Sequence, residues 1–111
     1  MSEKAIQLLS ILIDVEYELR RLQLWEAVAP SDEALASTQP FAVDTLTFAQ
    51  WVQFIFIPKL RQLVEHKQPL PAVSGIAPMA EQYFAALPVD AVNLIQHIDR
   101  IDVLLSGKSA L

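Results

Sequence analysis

The stretch from Ala5 to Leu22, AIQLLSILIDVEYELRRL, decides the architecture. Its residues Ala5, Leu8, Leu12, Val15, Leu19 and Leu22 are spaced alternately by three and four, which sets them on one stripe of an α-helix, whereas a strand would need every second residue. A helix is predicted over about Glu3 to Glu26. Glu16, four residues ahead of Arg20, adds a helix-surface ion pair in the favourable order.

Outward from this helix, Pro30 and Ser31 break the pattern. SDEALAS can form one short turn capped by Ser31 or Asp32, and the chain then enters the irregular stretch STQPF, residues 37 to 41. Loops of this length tend to be functional or held by their own side chains. Ser37 and Thr38 can bond nearby backbone, Pro40 keeps Gln39 extended, and Phe41 can anchor into the core. A second helix is predicted from a Thr47 cap through FAQWVQFIFIPKLRQLVEH to about His66. Phe48, Val52, Ile55, Phe56, Leu60 and Leu63 form its main stripe, with Phe54 and Ile57 on the opposite side. The first half is thus apolar nearly all round, and Pro58 predicts a kink that leaves the Phe54 carbonyl without its usual partner.

A proline-rich connection leads to a third helix over about Ala77 to Leu87, with Met79, Ala80, Tyr83 and Leu87 on its apolar face. Beyond Pro88 a fourth carries Ala91, Leu94, Ile98, Ile101 and Leu105, and Gly107 suits the left-handed position past its end. The expected fold is all-α, one domain over residues 1–111: a four-helix up-down bundle with a long ordered loop between the first two helices.

The 111 residues are 53 % hydrophobic, enough for a folded core, and the net charge is −5, from 13 acidic and 8 basic residues. That balance repels a phosphate backbone, so nucleic-acid binding through bulk charge is disfavoured. The absence of cysteine excludes a disulfide framework, a thiolate nucleophile and cysteine-based metal sites, and the cytoplasm is the expected compartment. Leu8–Ile13 does not read as a signal peptide. The 14 charge-free residues from Thr45 to Pro58 fall short of the roughly 20 that a bilayer crossing needs.

Catalytic patterns are lacking. His66 and His97 form no HExxH pair; in HIDRID only Asp99 and Asp102 share a helical face well, which reads as a solvated face rather than a metal site. Ser37, His66 and Asp44 supply the residue types of a triad without a nucleophile elbow, and two glycines cannot build a phosphate cradle. Asp14, Glu16 and Glu18 splay around their helix. No catalytic residue, cofactor or metal is expected, and both histidines should tolerate alanine. Trp51, Phe54 and Phe56 read first as core, yet one bundle face cannot bury them together with Ile57 and the main stripe, and surplus apolar surface marks an interaction site.

STQPF, Asp44 with Thr45, Trp51, the IPKL segment at 57–60 and QPLP at 68–71 together resemble the YqcC-like family of small bacterial proteins. Lys59 stands where arginine is more usual, which weakens any bidentate contact there. The resemblance implies an all-helical bundle and a gene often found beside that of tRNA pseudouridine synthase C; it brings no catalytic residue or cofactor. The functional expectation is therefore a protein-interaction module, with a tRNA pseudouridine synthase as first partner. Its surface would centre on Phe54, Ile57 and Pro58, rimmed by Gln39, Asp44 and Thr45. The alternative is weak RNA or tRNA binding, which would need Arg20, Arg21, Lys59, Arg61 and Lys67 gathered into one patch.

Overall fold

A computed structural model describes residues 2–72 and 75–106. The expected αL glycine, Gly107, lies outside them. The described residues form a helical bundle without strands: α1 (Glu3–Arg21), a single turn α2 (Asp32–Leu35), a 3-10 turn at Pro40–Ala42, α3 (Phe48–Trp51), a π-helical turn (Val52–Phe56), α4 (Ile57–Glu65), α5 (Ile76–Ala85) and α6 (Val92–Ser106). No described helix is long and apolar enough to cross a membrane.

The α1 stripe is core, with Leu8, Leu12, Val15 and Leu19 essentially without solvent contact. The helix stops earlier than expected. Gln23 adopts a left-handed φ of 61°, so its N–H reaches the Arg20 carbonyl at 3.0 Å while the Leu24 N–H reaches that of Leu19 at 2.8 Å. This paired closure satisfies the last free carbonyls and turns Leu24 and Trp25 back onto the core margin. The chain is then clamped. The Glu26 N–H donates to Gln53 Oε1 at 2.9 Å, and Gln53 Nε2 donates to the Glu26 carbonyl at 2.8 Å, which is how a glutamine can be buried.

Side chains hold the loop as well. Ser31 caps α2; the Ser37 hydroxyl donates to Asp44 Oδ1 at 2.5 Å and that of Thr45 to the Ala34 carbonyl at 2.7 Å. Thr47 caps α3 in a reciprocal box with Gln50.

α1 packs chiefly on α6, antiparallel: Arg21 donates to the Asp90 carbonyl at one end, and Asp14 meets Arg100 further along. All five apolar residues expected on the fourth helix are buried. In α5 the buried set is Ile76, Ala77, Ala80 and Phe84, while Met79, Tyr83 and Leu87 lie half-buried at the margin. Asp102 is not on a solvated face. It is buried, and its two oxygens accept the N–H groups of Ile76 at 3.1 Å and Ala77 at 2.7 Å. Gly75, the residue before α5, offers no side-chain cap, so a carboxylate from α6 takes that role and meets the positive end of the helix dipole.

Candidate functional site, an aromatic and proline groove

Pro58 does not simply kink its helix. The turn before it widens to π geometry, with the Ile57 N–H bonded to the Val52 carbonyl, and Pro58 enters at the start of α4, where a missing N–H costs little. One extra residue in the turn changes the facing of everything around it. Ile57, expected on an exposed face, is buried and belongs to the core. Phe54 and Ile55 are half-buried and neither packs against the core.

The same turn assembles an aromatic wall. Residues five apart diverge by about 140° on an α-helix, yet Trp51 and Phe56 stack with centroids 5.0 Å apart and planes 24° from parallel, because a π turn brings i and i+5 into line. Phe41 meets Trp51 edge-on at 4.8 Å. Its φ is 57° and that of Ala42 is 49°. Two consecutive left-handed residues, one of them bulky, carry strain of about 1–2 kcal/mol each, held by the turn and by the ring contact.

These rings line a groove of about 380 Å³ together with Leu60, Leu63 and Ile76 and with Pro69 and Pro71. Pro40 and Phe41 come from the loop, and Lys59 is the one charged residue of the lining. A second groove, lined by Val43, Leu46, Met79 and Tyr83, opens on the other side of Phe41.

The expected surface needs correction at several points. The loop frames the Trp51–Phe56–Lys59–Leu63 face, not a face carrying Phe54, Ile57 and Pro58. Ile57 is core; Asp44 and Thr45 are bound within the loop rather than left to rim an interface. Gln39 and Pro58 are exposed but line neither groove. The basic cluster is not one free patch either. Arg20 and Arg61 share Glu16, at 3.0 and 3.5 Å, and Arg20 also lies 4.8 Å above the Trp25 ring. Arg21 holds the buried Glu18 at 2.9 Å, and this hydrogen bond raises the arginine's pKa above its ordinary value against the opposing effect of desolvation. Lys59 borders the groove, whereas Lys67 borders another hollow beside Ser2 and Val64.

For catalysis, Ser37 and Asp44 bond each other and His66 bonds neither. His97 accepts from Arg100 Nη1 at 2.9 Å through Nδ1. Among the described residues no group of three or more His, Asp or Glu could hold a metal ion.

Residues 7–104 match the model of a family, DUF446, described as tRNA pseudouridine synthase C. The chain belongs to that family. Over 96 residues it is 32 % identical to the uncharacterized protein YqcC of Escherichia coli (strain K12), covering 86 % of this chain and 88 % of that protein. The solution NMR structure of E. coli YqcC superposes with a TM-score of 0.83 at 28 % identity, covering 99 % of this chain and 94 % of that one. A third match, 38 % identical over 60 residues, takes in 54 % of this chain but only 16 % of a Pectobacterium carotovorum protein named tRNA pseudouridine synthase C. The YqcC resemblance rests on STQPF, Asp44 with Thr45, Trp51, IPKL and QPLP; all of these but Asp44 and Thr45 contribute to the groove, supplying seven of its ten lining residues. The sequence held one local signal for this: aromatics five apart, Trp51 and Phe56, with a proline two residues after the second.

Proposed function

We propose that this chain is a non-catalytic accessory module that docks onto tRNA pseudouridine synthase C through the Phe41–Trp51 groove. The observation that carries the reading is the 60-residue likeness inside a protein of that name, of which it makes up 16 %. A segment carried within the enzyme's own chain has a high effective concentration at its site; a separate chain must supply the affinity through a surface. The groove suits that need: aromatic rings and other apolar side chains in its lining, and no carboxylate among them.

The test mixes the purified chain with the synthase C of the same genome and follows association by calorimetry, with pseudouridine formation in tRNA as a second readout. A saturable complex weakened by Phe41→Ala is expected, with no pseudouridine formed by the chain alone. Absence of any complex, or pseudouridine formation without the synthase, would sink the reading.

A further inference from the structure

The partner's chemistry can be read from what the fold leaves unsatisfied. All four arginines are committed within the molecule: Arg20 and Arg61 to Glu16, Arg21 to Glu18, Arg100 to Asp14. Lys59 differs. It is exposed, it lines the groove, and among the described residues it makes no ion pair or hydrogen bond. None of the 13 acidic residues lines the groove, so a chain of net charge −5 carries there an apolar trough with one free ammonium. The indole N–H of Trp51 also finds no acceptor among the described residues. Both unspent side-chain polar groups of the lining are donors; neither can accept. A carboxylate is acceptor-only, and beside an apolar trough it belongs next to a bulky apolar group.

We propose that the groove takes an extended protein segment in which an Asp or Glu adjoins a bulky apolar residue, the carboxylate on Lys59 and the apolar side chain against Phe41 and Leu63. This rests on the docking reading above and names its ligand. RNA would need several phosphates neutralised, and a single cation on an acidic molecule does not do that.

The probes are overlapping peptides tiling the synthase C sequence, each acid-bearing hit paired with its Asp→Asn or Glu→Gln twin, together with oligouridylate. Binding is read from the emission of Trp51 in a Trp25→Phe background, circular dichroism confirming the fold of each variant. Hits that pair an acid with a bulky apolar residue are expected, losing about tenfold in affinity with the amide twin and with Lys59→Glu and keeping it with Lys59→Arg; tenfold corresponds to about 1.4 kcal/mol. Affinity indifferent to both the twin and Lys59→Glu overturns the proposal, as does oligouridylate binding at Trp51 in place of peptide. If intact synthase associates while no peptide moves Trp51, docking stands and this inference fails. If acid-bearing peptides bind while the synthase does not associate, the groove chemistry stands and the choice of partner falls.

Discussion

Asp102 shows how much one side chain can hold when it is placed across elements. Its carboxylate is the cap of a helix begun 26 residues earlier, and removing it strands two buried N–H groups. Asp102→Ala is therefore expected to cost about 2–4 kcal/mol, and Asp102→Asn, which keeps one acceptor, clearly less, in denaturant unfolding. Unchanged stability in the alanine variant would mean that water replaces the carboxylate. Lys67 is the opposite case, a left-handed residue with φ 53° at the end of α4 in a position that glycine fills without strain. Lys67→Gly should raise stability by about 0.5–1 kcal/mol, the relief of backbone strain outweighing the entropy that glycine adds to the unfolded chain.

At the scale of an element, the π turn is the decisive feature, since it buries Ile57 and stacks Trp51 on Phe56. Two substitutions separate these effects from a plain helix. Ile57→Ala should cost about 2–5 kcal/mol, as for a core residue, and Phe54→Ala less than about 2 kcal/mol; a helix in uninterrupted α register would make them alike. Pro58→Ala restores the donor and lets the α register compete, so with Trp25 replaced by Phe the Trp51 emission should shift to the red as its stack opens. The helices α1 and α6 were legible in the sequence because each carries a clean stripe with nothing to disturb its period. The face of α3 and α4 was misread because a period of 3.6 does not hold across a π turn. Asp102 looked solvated because its partners are distant in sequence, and Phe84 was missed because the apolar face was centred on Met79, Tyr83 and Leu87, which lie at the margin, rather than on Ile76, Ala77 and Ala80. The groove residues stood out as motifs, but their meeting depends on the left-handed turn at Phe41, which no propensity predicts for a phenylalanine.

For the whole molecule, the pairing of α1 with α6 closes the bundle between its outermost helices. Without α6 the stripe of Leu8, Leu12, Val15 and Leu19 has lost its principal cover. A chain ending at Asp90 is expected to show little helical circular dichroism and no cooperative thermal transition; a folded truncation would place the core elsewhere. The same closure governs how the protein is born. At a synthesis rate of about 5–20 residues per second, α1 waits on the order of ten seconds before its partner helix leaves the ribosome. During that interval its leucines are an unshielded ligand for any chaperone that recognises nascent apolar helices, and closure of the core waits on the emergence of α6.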